Sequence, residues 1–176
     1  MKKILFETHH LYYLPNFIPI IDNLRSKVGY DIYASMPQYM HEKERKLFHS
    51  ACSSMKLQVI DAELEAERVE EIKSTNFDVI VVGNVGQLKK IISESTLAVM
   101  VYHGIGLKQS YYNDFDQRID IRSVESEARY NELEEQGHSN LALTGYTKLD
   151  PLFSNDDQKK NNTKEKLGIN NNLPTL

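Results

Sequence analysis

Tryptophan is absent from this 176-residue chain and cysteine occurs once, at Cys52. A single cysteine excludes an internal disulfide and any cysteine-based metal cage. It falls in a predicted helix with Phe48, Ala51 and Met55, where a small buried hydrophobe is a simpler reading than a nucleophile. No apolar run approaches the roughly 20 residues of a membrane-spanning helix. The amino terminus, Met1-Lys2-Lys3-Ile4-Leu5-Phe6, reaches the acidic Glu7 too soon for a secretory signal, so the expected location is the cytoplasm. A basic excess is also missing, with 25 Asp plus Glu against 21 Lys plus Arg and a net charge of −4. That balance argues against a nucleic-acid partner, which normally meets a basic stripe. It leaves room for a small anionic substrate, which needs only local charge.

What is present is a regular alternation of short apolar runs with longer amphipathic ones. Residues 3–7, 30–35, 57–60, 77–82, 97–102, 119–124 and 141–144 read as strands. Several are apolar at consecutive positions, notably Val79-Ile80-Val81-Val82, which fits strands covered on both faces of a parallel sheet. Between them, Phe17, Ile20, Ile21, Leu24 and Val28 recur at helical spacing, with Gly29 placed as a C-cap. Pro37 is positioned to open the next helix, through Leu47, Phe48 and Ala51. Residues 63–76 form a charged helix with Leu64, Val69 and Ile72 on its inner stripe, and 87–95 carry Leu88, Ile91 and Ile92. Residues 125–136 carry Ala128 and Leu133 and stop at Gly137, with Glu132, Glu134 and Glu135 as a solvated face. Strands alternating with helices through short connections predict an α/β fold with a Rossmann-like, doubly wound, mostly parallel sheet over 1–153. Residues 154–162 are a polar linker and 164–169 one short helical turn. The expected organisation is therefore a domain at 1–153, then at 154–176 a linker and the start of a second, nucleotide-binding domain.

Candidate chemistry gathers where these strands end, the edge at which open α/β sheets bind ligands. Val101-Tyr102-His103-Gly104-Ile105-Gly106-Leu107-Lys108 follows the fifth run. Histidine takes a proton near neutral pH, glycines let a ligand approach the backbone, and lysine offers a point charge for phosphate. His9 and His10 follow the first run; adjacent residues of an extended chain face opposite ways, so one of the pair is structural. Gly83-Asn84-Val85-Gly86 ends the fourth run at the same edge, where it either approaches a ligand or makes a tight turn. His41, His49 and His138 are scattered and expected to be exposed. Gly104-Ile105-Gly106 begins a dinucleotide fingerprint, but the third glycine would fall at Gln109, and no P-loop occurs. Asn161-Asn162-Thr163 fits a glycosylation acceptor, incidental in a cytoplasmic chain. No residue set has metal-ligand spacing, so any divalent ion would be held largely by substrate.

His103-Gly104-Ile105-Gly106-Leu107-Lys108 resembles the His-Gly-Thr-Pro-Leu-Lys element of the CDP-glycerol glycerophosphotransferase family. Arg122-Ser123-Val124-Glu125-Ser126 resembles the strand-to-helix segment that follows it there. Thr144-Gly145-Tyr146-Thr147-Lys148-Leu149-Asp150-Pro151-Leu152 resembles the family's Gly-x-Pro-Arg-x-Asp-x-Leu element. Gly106 stands where the family has proline, Tyr102 where it has tryptophan, and Thr147-Lys148 where it has Pro-Arg. The resemblance implies the acceptor-side half of a GT-B architecture, two Rossmann-like domains face to face, in an enzyme of teichoic-acid-type glycan synthesis. It implies transfer of glycerol phosphate, or a similar polyol phosphate, from a CDP-linked donor held by the second domain to a glycan or lipid-linked acceptor. It further implies peripheral contact with the cytoplasmic face of a membrane and no cofactor in this domain. His103 would be the general base, with His9, His10, Asn84, Gly104, Gly106, Lys108 and Lys148 binding substrate. A sugar-nucleotide enzyme of the same fold, a glycosyltransferase or a relative of UDP-N-acetylglucosamine 2-epimerase, is the alternative, and a non-catalytic binding module is a third.

Overall fold

The computed structural model describes residues 1–104, 118–153 and 157–169. Seven strands form one parallel sheet: β1 (Lys2–Glu7), β2 (Tyr30–Ser35), β3 (Gln58–Ile60), β4 (Val79–Val82), β5 (Leu97–Val101), β6 (Ile121–Val124) and β7 (Leu141–Leu143). Their order is β3-β2-β1-β4-β5-β6-β7. The chain steps outward from β1 to β3, crosses back to β4 on the other side of β1, and continues outward to β7. This is the doubly wound, Rossmann-like arrangement that the alternating runs predict, with all seven strands where the sequence places them.

Side-chain alternation along the strands explains the two layers. Ile4 and Phe6 of β1 face α1 (Leu14–Arg25), where Phe17 and Ile21 are fully buried against them. Ala34 of β2 faces the same way and packs with Phe48 and Cys52 of α2 (Glu42–Ser54). Leu5, Ile80, Ala98 and Met100 point to the opposite face and meet Ile72 of α3 (Glu65–Thr75) and Leu88 and Ile91 of α4 (Leu88–Ile91). After β6 comes α5 (Glu127–Glu135), capped by the Ser126 side chain and closed by Gly137 at φ +89°. Its Glu132, Glu134 and Glu135 are exposed, the solvated face that the sequence predicts.

Several boundaries differ from the sequence reading, for identifiable reasons. Pro37 does not open α2; it is buried in the preceding turn, and the helix begins at Glu42 with the His41 ring accepting the Lys43 N–H. Val28 is fully exposed beyond the end of α1, and Gly29, at φ +102°, turns the chain into β2 instead of capping the helix. The inner face of α3 carries Arg68 in place of Leu64, which is 61% exposed. Likewise Arg129, not Ala128, is the buried partner of Leu133 on α5. In both cases a guanidinium that finds a carboxylate goes inside, where hydropathy alone expects an apolar side chain. His41 is exposed as expected, but His49 and His138 are half buried, and His49 lies 3.2 Å from an Asp61 carboxylate oxygen. The polar stretch after Phe153 is not linker throughout: α6 (Asp157–Lys166) takes in its second half. Among the described residues no helix is long and apolar enough to cross a membrane.

Candidate active site

In a sheet of this order the crevice opens where neighbouring connections leave in opposite directions, above the carboxyl ends of β1 and β4. Three segments arrive there: residues 8–13 after β1, residues 83–87 after β4, and His103-Gly104 after β5. Parallel register carries them to one level, since Glu7 pairs with Val82 and Val82 with Met100.

His103 is the centre of this group. Its Nδ1 lies 2.9 Å from the Gly83 carbonyl oxygen. A carbonyl only accepts, so the neutral ring carries its proton on Nδ1, and Nε2 is the basic nitrogen. The ring packs at 4.5 Å from the Tyr13 ring and 5.3 Å from that of Tyr12. Its own carbonyl accepts the Tyr146 hydroxyl at 3.0 Å, which ties the end of β5 to the segment after β7. That segment forms a short 3-10 helix, Thr147–Leu152, which is held to α1 by the Thr147 hydroxyl donating to the Asn16 carbonyl at 2.8 Å. His103 is thus fixed in tautomer and orientation from two sides, which a base aimed at one substrate atom requires.

The rest of the crevice is aromatic and amide. Tyr12 and Tyr13 meet edge to face at 4.5 Å, with their hydroxyls 3.2 Å apart, and the Asn84 amide donates to the Tyr13 hydroxyl. His10 lies almost parallel to Tyr12, at 5.2 Å between ring centres, and its Nδ1 is 3.9 Å from a Glu44 carboxylate oxygen. Gly83 permits this packing: a Cβ there would stand 2.8 Å from the Tyr13 ring.

The histidine pair divides as adjacent extended residues must. His9 turns inward and is 4% exposed, with Nε2 accepting the Gln87 N–H at 3.1 Å. Burial lowers its pKa, so the ring is neutral with its proton on Nδ1. Gly86, at φ +36°, makes room for it, since a Cβ there would sit 2.1 Å from His9 Nε2. His10 stays with the crevice rings. Asn84 is in the crevice through Tyr13, and Gly104 is half buried beside His103. Lys148 is exposed on the 3-10 helix, and Gly106 and Lys108 lie outside the described residues. An open hollow of about 430 Å³ beside the β4 loop is lined by Val85, Gly86, Gln87, Lys89 and Lys90.

Sequence reasoning missed Tyr12, Tyr13 and Tyr146: Tyr12 is exposed at the crevice, Tyr13 is buried beneath it against His103, and the Tyr146 hydroxyl holds the His103 carbonyl. The signal for the first two is their place directly after the histidine pair; Tyr146 sits inside the 144–152 motif. It also missed a buried network beneath the crevice. Arg68 of α3, fully buried, donates from Nη1 to Glu7 at 3.0 Å and from Nε and Nη2 to Glu65 at 2.9 and 2.6 Å. The Ser35 hydroxyl donates to the same Glu7 oxygen. Burial alone would raise the Glu65 pKa, but hydrogen bonds from Arg68 and the Gln38 N–H outweigh it and hold the carboxyl below its ordinary value. These groups lock α3 and the 37–40 turn to the end of β1. Cys52 is buried with its thiol pushed up to about 12, which makes it a poor nucleophile. Among the described residues, no three of His, Cys, Asp and Glu converge as a metal-holding group.

No family model matches the chain, and no curated protein matches it. Among solved structures, it is similar to a protein from Listeria monocytogenes assigned as a UDP-N-acetylglucosamine 2-epimerase, with a TM-score of 0.58 and 14% identity. The match covers 89% of this chain and 49% of that one, so the chain spans about half the length of the solved structure it resembles. At that identity the likeness establishes the fold and no more.

Proposed function

We propose that this chain is the acceptor-side half of a nucleotide-dependent enzyme of GT-B-like architecture, and that His103 is its general base. The observation that carries this reading is the His103 imidazole at the switch-point crevice with Nδ1 anchored on the Gly83 carbonyl. With the proton on Nδ1, Nε2 is the ring's basic atom, the one that would take a proton from a substrate hydroxyl or carbon acid, work that typically contributes ~10²–10⁴-fold to rate. A sugar nucleotide is the broader donor class. It is supported by the Rossmann-like sheet and by the assignment of the structural neighbour as a UDP-N-acetylglucosamine 2-epimerase, of which this chain matches about half.

A CDP-linked polyol phosphate is the narrower reading, favoured by the run His103–Lys108 and by Thr144–Leu152 with its Lys148. Lys108 and Lys148 would then steady phosphate oxygens, and Gly104 and Gly106 would admit backbone N–H groups to them. In either case the nucleotide is held by a second domain, while a glycan or lipid-linked acceptor enters above β1 and β4.

The test is a donor screen on a chain extended to include that second domain, with UDP-N-acetylglucosamine, UDP-glucose and CDP-glycerol, measuring nucleotide release and product. Turnover of a uridine donor supports the broader reading, and turnover of CDP-glycerol the narrower one. Turnover that survives His103→Ala unchanged would remove His103 from the chemistry under both.

A further inference from the structure

We infer that the exposed ring of Tyr12, set between His10 and His103, is a stacking platform for a neutral pyranose ring of the acceptor. The inference rests on the reading above that this crevice receives the acceptor. Tyr12 is 49% exposed, yet its ring is not loose. His10 stacks along it at 5.2 Å and 9°, Tyr13 meets it at 80°, His103 lies tilted at 5.3 Å, and its hydroxyl is bonded to that of Tyr13. An aromatic side chain kept half in water while held from several directions is a pre-ordered surface. Tyrosine has little rotamer freedom to lose when a ligand settles on it.

The chemistry around the ring selects among ligands. A pyranose has an apolar C–H face and a rim of hydroxyls. It therefore needs an apolar plate bordered by neutral hydrogen-bonding groups. The described contacts of this cluster are mostly of that kind, imidazoles at His10 and His103 and the Tyr12 phenol over the buried Tyr13 and the half-buried Asn84, with the Glu44 carboxylate 3.9 Å from His10 Nδ1 as a further acceptor. With the sugar on Tyr12, a ring hydroxyl at its edge falls toward His103, whose ring centre is 5.3 Å from the plate. Stacking then sets which hydroxyl is presented to the base.

The experiment is saturation-transfer NMR on residues 1–176 without any nucleotide donor. The probes are methyl glycosides of glucose and N-acetylglucosamine, glycerol 3-phosphate and uridine monophosphate. The expected result is transfer to the ring protons of one sugar face, with little to glycerol 3-phosphate. Transfer should fall at least tenfold in Tyr12→Ala and in Tyr12→Leu, which keeps apolar bulk without the aromatic face, and stay within about twofold in Tyr12→Phe. Sugar transfer that is absent, or equal in parent, Tyr12→Ala and Tyr12→Leu, would overturn the proposal. So would stronger, Tyr12-dependent transfer to uridine monophosphate, which would make the plate a base-stacking surface. Because no donor or turnover enters this measurement, its failure is separate from a failure of His103 as base.

Discussion

At the scale of single residues, two glycines decide whether the crevice exists. Gly86 carries positive φ and lies where any Cβ would strike His9 Nε2, while Gly83 lies under the Tyr13 ring. Gly86→Ala is expected to destabilise the fold by about 1–3 kcal/mol through backbone strain and loss of the His9–Gln87 hydrogen bond, read by urea unfolding. Gly83→Ala is expected to displace Tyr13 and, through it, His103, which a shift in the His103 ring resonances would reveal. Unchanged stability in Gly86→Ala would mean that the loop relaxes without cost. The glycines were legible in the sequence as a turn after the fourth apolar run; which ring each one accommodates was not. That depends on two chain segments 70 or more residues apart meeting at a sheet edge.

At the scale of elements, burial of charge departs most from the sequence pattern. Arg68 and Arg129 occupy inner helix faces because Glu7, Glu65 and Glu125 are there to meet them, at 3.0, 2.6 and 3.4 Å. Hydrophobic periodicity located all seven strands, since apolar runs covered on both faces have few other solutions. It misassigned Leu64 and Ala128 because a charged residue counts as outward until its partner is known. Arg68→Met is expected to cost about 3–5 kcal/mol, because it leaves the buried Glu7 unpaired. Adding Glu7→Gln should return part of that loss in a double-mutant cycle; no coupling between the two would contradict the network.

The same elements set a pH dependence. The Glu65 pKa is lower in the folded state than its ordinary 4.5, so its stabilisation is present above that value and lost as pH falls through the folded-state pKa. His9 is lowered from 6.5 by burial. The unfolded chain therefore binds its proton first, and stability should decline as pH drops below about 6.5. His9→Gln should flatten the upper part of that decline in denaturation curves recorded from pH 7 to 5. A curve unchanged by the substitution would place the decline in other groups.

At the scale of the molecule, the described residues form one seven-stranded, doubly wound sheet, and the chain matches about half of a longer solved structure. The Rossmann-like class was legible from alternation alone. The place of the candidate site was legible, the ends of the first, fourth and fifth runs, because chain topology brings those ends to the edge where such sheets bind ligands. The aromatic surface was not, since tyrosines at strand ends carry no signal until neighbouring segments converge. If the nucleotide is held by a second domain, residues 1–176 alone should give no measurable heat with UDP-N-acetylglucosamine or CDP-glycerol in calorimetric titration. Tight, stoichiometric binding would place the donor in this half and reverse the proposed arrangement.

The central claim is that His103 takes a proton in the transition state, from a tautomer fixed by the Gly83 carbonyl. Its most direct test is turnover at saturating donor and acceptor for the parent, His103→Ala and His103→Gln in the chain extended to include the donor domain, with donor affinity measured alongside. Both variants should lose about 10²–10⁴-fold in kcat with donor Kd unchanged, and His103→Gln, which hydrogen-bonds without accepting a full proton, should not restore the rate. Near-parental kcat in either variant would contradict the account.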